Sequence, residues 1–168
     1  MNEVGRVVGG IAAAISAVVL LGAMFLNWYA VTFSDAGLGL EGVSITAWEA
    51  FAGEDIALAI LAALVVIFGV LAAVGARVPA LRYGAGLIIA LAGIAALGLV
   101  IFRLVSAPTF EEAVLSRFGV EQSASPSVGI FVGLLATIGM AVGGAIAAVP
   151  ALLGRSEHDG AADRAPTR

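Results

Sequence analysis

Cysteine is absent from this chain of 168 residues, and histidine occurs once, at His158. Without cysteine the protein has no disulfide framework, no thiolate metal site and no thiol nucleophile. His158 stands in a polar C-terminal segment and no Ser/His/Asp set accompanies it, so we expect no catalytic or metal-binding role for it. These absences predict a non-enzymatic protein that uses no cofactor.

Charge of either sign is also scarce, because only 12% of the residues are charged and 61% are apolar. Soluble domains contain about 25% charged residues, and a chain this apolar cannot cover its surface with polar groups in water. The composition therefore predicts a lipid bilayer as the surrounding solvent. The net charge of −4 argues against a nucleic-acid partner, which needs a basic surface.

Four long runs of apolar residues are present, and none of them contains a charged side chain. They cover residues 7–28, 56–75, 83–102 and 128–150. At ~1.5 Å per helical residue the first run extends about 33 Å, enough to cross the ~30 Å of hydrocarbon in a bilayer. We predict four transmembrane helices, and the first is too long to be the core of a cleaved signal peptide.

The arginines are distributed unevenly between the two ends of the predicted bundle. With four spans, both termini and the connection between the second and third spans share one side. That side holds Arg6, Arg77, Arg82, Arg155, Arg164 and Arg168, whereas the other holds only Arg103 and Arg117. The positive-inside rule therefore predicts a multi-pass protein of the plasma membrane with both termini in the cytoplasm.

The first outer loop, residues 29–55, contains two β-prone runs. Val31–Ser34 and Gly42–Trp48 flank a glycine-rich turn, which predicts an antiparallel β-hairpin on the outer side of the membrane. An isolated hairpin is marginal in water, so we expect one face of it to rest on the helix ends.

The second outer loop, residues 103–127, begins with a helix signal. Thr109 and Glu112 form a T-x-x-E capping box, which predicts a short amphipathic helix ending at Gly119. The SASPS segment at 123–127 is interpreted as a polar linker into the fourth span.

Four aromatic residues flank the first outer loop: Trp28 and Tyr29 at its start, and Trp48 and Phe51 near its end. Amphipathic aromatic rings favour the headgroup region, so an outer interfacial belt is predicted. A ligand-binding aromatic cage is the alternative.

Acidic residues stand at the start of the second span. Glu54 and Asp55 fit the positive end of a helix, and Glu49 precedes them. Arg103, at the end of the third span, could pair with Asp55, Glu54 or Glu49, or extend to the lipid headgroups. A cation site formed by the three acids is a further alternative.

Small residues repeat at every fourth position of the fourth span, at Gly129, Gly133, Thr137 and Ala141. Such a stripe lets a second helix backbone approach closely. Two interpretations stay open: packing within the chain's own bundle, or a face that forms a homo-oligomer.

Three stretches carry a resemblance to known proteins: FLNWY at 25–29, TAWEAF at 46–51 and DIALAILAAL at 55–64. In these the chain resembles a family of small, uncharacterised four-helix integral membrane proteins common in actinobacteria, although Asn27 stands where members often have proline. The resemblance covers the first two spans and their loop, and it implies a topology but no activity. The architecture is also similar to that of claudins, without their paired loop cysteines, which is a likeness of fold only.

The resulting expectation is an all-α membrane protein, with a four-transmembrane-helix bundle over residues 1–153 and a disordered cytoplasmic tail at 154–168. Since Ser16 and Thr137 are almost the only polar residues deep in the spans, a transport pathway is not indicated. We interpret the chain as a scaffold, accessory or envelope-interaction protein whose expected partners are the lipid bilayer and either a second copy of the chain or another membrane protein. A subunit of an oligomeric channel or small-molecule transporter is the alternative.

Overall fold

Helices make up most of the structure, which is a computed structural model. In chain order the elements are α1 (Asn2–Ala23), β1 (Asn27–Ser34), β2 (Val43–Thr46), α2 (Ala47–Ala50), α3 (Glu54–Val74), α4 (Pro79–Val105), β3 (Glu121–Pro126) and α5 (Val128–Ala162). Each of the helices α1, α3, α4 and α5 holds a stretch of 21 or 22 residues that is long and apolar enough to cross a membrane. The predicted set of four long apolar helices is therefore confirmed.

The structure describes residues 2–34, 43–50, 53–74, 79–106 and 121–162. The short amphipathic helix predicted after Thr109 lies outside these ranges, and so does Phe51. Residues 163–168 of the predicted tail are also outside them.

The four long helices form a bundle in which each helix packs mainly against two others. α1 lies between α3 and α5, and α4 lies between the same two helices on the opposite side. The core between them is rich in alanine, with a few larger side chains such as Leu20, Leu58, Ile89 and Met140. Because small side chains fill most of the interface, the helix backbones can approach one another closely.

Glycine permits the closest of these approaches. A Cβ atom on Gly143 of α5 would lie 2.8 Å from the carbonyl oxygen of Gly9 in α1. A Cβ atom on Gly93 of α4 would lie 2.5 Å from the backbone nitrogen of Ala141 in α5. Side-chain carbons do not come this close to backbone atoms, so α5 contacts both α1 and α4 backbone to backbone.

A three-stranded antiparallel sheet, in the order β2-β1-β3, covers one end of the bundle. The pairing of β1 with β2 places Ala30 opposite Ser44, which confirms the predicted antiparallel hairpin. The third strand, β3, pairs Ala30 with Ser125 on the other side of β1. The interpretation of 123–127 as a linker was therefore wrong for the strand residues. Their polar sequence lacks a hydrophobic alternation, and the strand forms because β1 supplies its backbone partners.

Two helix ends differ from the predicted ones. α1 ends at Ala23 rather than at residue 28, because Trp28 and Tyr29 belong to β1, where aromatic residues are favoured. α5 continues to Ala162, through residues expected to be disordered from 154 onwards. Adding residues to an existing helix costs less than starting one, so the helix extends past its apolar part even though glycine occurs at 154 and 160.

Candidate functional site

One end of each long helix lies next to the sheet. We call this end of the bundle the capped end. It comprises the C-termini of α1 and α4, the N-termini of α3 and α5, and strand β1. Helix termini leave backbone N–H and C=O groups without partners inside the helix. Side chains of β1 and of the adjoining helix turns form hydrogen bonds with several of these backbone groups.

Trp28 is the extra residue of a β-bulge. Asn27 pairs with Thr46 and Tyr29 pairs with Ile45, so that one more residue is present on β1 than on β2 between the two pairs. Consecutive side chains of a regular strand point to opposite faces, yet Trp28 and Tyr29 are both fully buried. A bulge redirects a side chain, and here it accounts for both rings being buried against the bundle.

The indole of Trp28 connects α1 to α5. Its Nε1–H donates a hydrogen bond of 2.7 Å to the carbonyl oxygen of Ala23, the last residue of α1. Its ring lies on two glycines of α5: an added Cβ on Gly129 would be 2.5 Å from Trp28 Cδ1, and one on Gly133 would be 3.1 Å from Trp28 Cζ2. These glycines form the surface on which the indole packs.

Tyr29 makes the equivalent connection to α4. Its hydroxyl donates a hydrogen bond of 2.5 Å to the carbonyl oxygen of Arg103, which lies in the last turn of α4. Burial raises the pKa of Tyr29 above its usual value, and the nearby positive charge of Arg103 lowers it to a smaller extent. The phenol therefore stays protonated and able to donate over the whole physiological pH range.

The guanidinium of Arg103 forms an ion pair with the carboxylate of Glu54 at the start of α3. Of the three acids that the sequence offers as partners, Glu54 is the one that the structure pairs with Arg103. Asp55 is buried, and its Oδ1 accepts a hydrogen bond of 2.8 Å from the Ile56 N–H. The contact between Arg103 and Glu54 joins α3 to α4.

Glu49 has a separate role in the short helix α2, which precedes α3. Its Oε2 accepts hydrogen bonds from the backbone N–H of Thr46, at 2.9 Å, and from the Thr46 hydroxyl, at 3.0 Å. These bonds lower the pKa of Glu49. The residues 46–49 read T-A-W-E, so this is a capping box at α2, a second sequence signal of the same kind as that at Thr109.

The four-residue stripe of α5 is used within the chain. Gly129 and Gly133 contact Trp28, and Ala141 contacts Gly93 of α4. Thr137 is fully buried, and its hydroxyl donates to the carbonyl oxygen of Leu134 at 2.9 Å within the same helix. All these contacts lie within one chain. They correspond to the first of the two interpretations that the sequence leaves open, in which the stripe packs inside the chain's own bundle.

The aromatic residues divide into two groups. Trp28 and Tyr29 are enclosed by the protein, so they present no ring to lipid or to a ligand, unlike the predicted belt or cage. Trp48 is 39% exposed, and its ring centroid lies 5.9 Å from that of Phe25, which is 71% exposed. Phe25 and Trp48 thus form an exposed aromatic pair at the capped end, of which the predicted belt of four residues included only Trp48.

No group of three or more acidic or histidine side chains suited to a metal ion occurs among the described residues. Glu49 and Glu54 are directed to Thr46 and Arg103, so the structure does not gather the acids proposed for a cation site.

Comparison of the sequence with protein-family models and with curated proteins finds no match.

Proposed function

We propose that this chain is an integral protein of the plasma membrane that acts by contact with another membrane protein, as a scaffold or accessory subunit. The observation that carries the proposal is the way the sheet is attached. One face is held on the helix ends by Trp28 and Tyr29, while Thr32, Ser44 and Ser123 are exposed. A sheet fixed to a bundle in this way offers a preorganised surface to a partner, which lowers the entropic cost of association.

A membrane location is supported by the outer surface of the helices. Large aliphatic side chains are exposed along α1, α3, α4 and α5, among them Ile15, Ile60, Ile67, Leu91, Ile94 and Leu135. Exposed apolar surface of this extent is unfavourable in water and is satisfied by lipid. The six arginines that the sequence assigns to the side of the two termini support an orientation with the sheet outside and both termini in the cytoplasm.

The packing of the interior favours a contact function over transport. The buried polar side chains in the described part of the chain are Arg6, Asp55 and Thr137. Thr137 alone is deep within a span, whereas transporters usually carry ionisable groups or broken helices near the bilayer centre. The backbone contacts of α5 with α1 and α4 also leave little space between those helices for a solute path.

Site-specific photo-cross-linking in native membranes tests the proposal. We expect a crosslinker at Ser123 or Val43, both exposed on the sheet, to give a discrete protein adduct larger than the 16.8 kDa chain. The matched control is Ile67, which is exposed in the middle of α3 and should cross-link mainly to lipid.

Solute flux into liposomes that contain the purified chain is the complementary measurement. Flux above that of empty liposomes, together with no protein adduct at Ser123 or Val43, would replace the scaffold proposal with the channel or transporter alternative. An adduct without flux supports the scaffold.

A further inference from the structure

Arg6 is a buried cation at the end of the bundle opposite the sheet. Its side chain is only 8% exposed, although it lies in the second turn of α1. Asp55 and Thr137, the other buried polar side chains among the described residues, each have a hydrogen-bond partner. In contrast, the Nη1 of Arg6 is buried without a hydrogen-bond partner within the structure.

The position of Arg6 on α1 directs its side chain toward the bundle. Residues three and four positions apart share one face of a helix, so Arg6 lies on the face of Gly9 and Gly10. A Cβ atom on Gly9 would be 2.6 Å from the carbonyl oxygen of Gly143 in α5, and one on Gly10 would be 2.9 Å from that of Gly69 in α3. Since helical side chains lean toward the N-terminus, this face carries the Arg6 side chain on the side of α1 that packs against α3 and α5.

Burial of this group has a chemical consequence. A guanidinium stays protonated under all conditions in which proteins fold. A buried charge is unfavourable unless an acceptor compensates for its lost hydration. Glu3, the acid nearest to Arg6 in the sequence, is exposed. Within the part of the chain that the structure describes, no acceptor satisfies Nη1, so we look for one outside these residues.

We infer that Arg6 binds a phosphate group, with an anionic phospholipid of the cytoplasmic leaflet as its expected source. A guanidinium matches the geometry of a phosphate and can donate two parallel hydrogen bonds to it. Arg6 is three residues inside the apolar stretch that begins at Glu3, or about 4.5 Å along the helix, which is close to headgroup depth. Arg77 and Arg82 belong to the same arginine-rich side of the sequence and add to its attraction for anionic lipid.

This inference rests on the proposed membrane location but not on the proposed scaffold function. The full chain, purified in an uncharged detergent, would be titrated with phosphatidylglycerol while bound lipid is counted by native mass spectrometry and thermal unfolding is followed. Diacylglycerol with the same acyl chains is the matched probe, because it lacks only the phosphoglycerol headgroup. Inorganic phosphate distinguishes a free oxyanion from a headgroup.

We expect phosphatidylglycerol to bind and to raise the unfolding temperature, and diacylglycerol to do neither. Arg6→Gln should weaken phosphatidylglycerol binding about tenfold or more, the loss expected for a hydrogen bond between charged groups. Arg6→Lys should retain part of the binding because it keeps the charge. Arg164→Gln removes the same charge from the same predicted side and should leave binding unchanged.

Three outcomes would overturn the inference. These are equal binding of diacylglycerol and phosphatidylglycerol, equal binding by Arg6→Gln and the wild type, and an equal loss in Arg164→Gln. If Arg6→Gln does not fold, Arg6→Lys decides: weaker binding of phosphatidylglycerol than in the wild type, still in preference to diacylglycerol, supports a cation-phosphate contact, and binding equal to that of the wild type contradicts it. A response to inorganic phosphate alone would assign the site to a free oxyanion.

Discussion

A hydrogen bond of 2.5 Å joins the hydroxyl of Tyr29 in the central strand to the backbone carbonyl of Arg103 in α4. The two residues are 74 positions apart in the sequence. The Arg103 side chain in turn pairs with Glu54 at the start of α3. The sheet, the end of α4 and the beginning of α3 are thus linked by consecutive polar contacts.

Removal of the Tyr29 hydroxyl should destabilise the fold moderately. Tyr29→Phe leaves the ring in place but deprives the Arg103 carbonyl of its donor, at a cost of about 1–3 kcal/mol for an unsatisfied buried group. Thermal or chemical unfolding in detergent would measure the difference. Tyr83→Phe, at the other tyrosine of the chain, is the control, and an equal effect of the two substitutions would contradict the role given to Tyr29.

The stability should also fall at high pH through Tyr29. Its pKa is raised in the folded state, so the contribution is fully present below the ordinary tyrosine pKa of about 10. It is lost as the pH rises through the higher folded value, because the unfolded chain ionises first. Tyrosinate absorbance should show a late-titrating tyrosine that is absent from Tyr29→Phe; titration of both tyrosines at the ordinary pKa would contradict this.

The glycines under Trp28 should be sensitive to a single methyl group. Gly129→Ala would place a carbon 2.5 Å from the indole and 2.7 Å from the Asn27 carbonyl oxygen, so we expect a loss of about 1–3 kcal/mol from overpacking. Gly133→Ala should cost less, since its nearest atom would be 3.1 Å away on the ring. Unfolding monitored by tryptophan fluorescence would rank the variants.

Gly98→Ala is the matched control for these substitutions. Nothing lies within 4 Å of a Cβ added at Gly98, which is in the same kind of apolar helix. Alanine favours helix over glycine by about 1 kcal/mol, so this variant should be neutral or slightly more stable. A loss of stability at Gly98 as large as that at Gly129 would show that the indole contact is not the cause.

Exchange of the charges at Glu54 and Arg103 should reveal their coupling. Glu54→Arg alone brings two cations together and should lower the unfolding temperature, whereas adding Arg103→Glu should restore part of the loss. A double-mutant cycle separates the pair interaction from the individual effects. If the effects of the two changes are additive, the ion pair contributes nothing to stability. Such a result is common for ion pairs that are exposed to solvent.

The orientation can be tested because the natural chain has no cysteine to give background. We expect Val43→Cys, which is exposed on β2, to react with a membrane-impermeant maleimide in intact cells. Gly5→Cys, near the N-terminus of α1, should react only after the membrane is permeabilised. The reverse pattern would place the sheet in the cytoplasm.

The sequence predicted the helices well because length and apolar composition alone identify them. It did not locate the end of α1, since an apolar run gives no sign that Trp28 enters a strand through a bulge. Nor could it choose Glu54 over Asp55 as the partner of Arg103, because adjacent residues on a helix point in different directions. Strand β3 has little signal of its own, because its backbone partners come from a strand about 90 residues earlier.

The central position of β1 imposes an order on assembly during synthesis. Its partner β3 and the glycines that receive Trp28 belong to the last third of the chain. Until the ribosome has released that part, the indole has no glycine surface to cover it and one edge of the central strand stays open. Contacts between residues far apart in sequence form late and leave apolar groups accessible in the meantime. A nascent chain stalled before α5 would therefore display Trp28 to the chaperones and proteases that survey membrane proteins, and completion of the last helix would remove that signal.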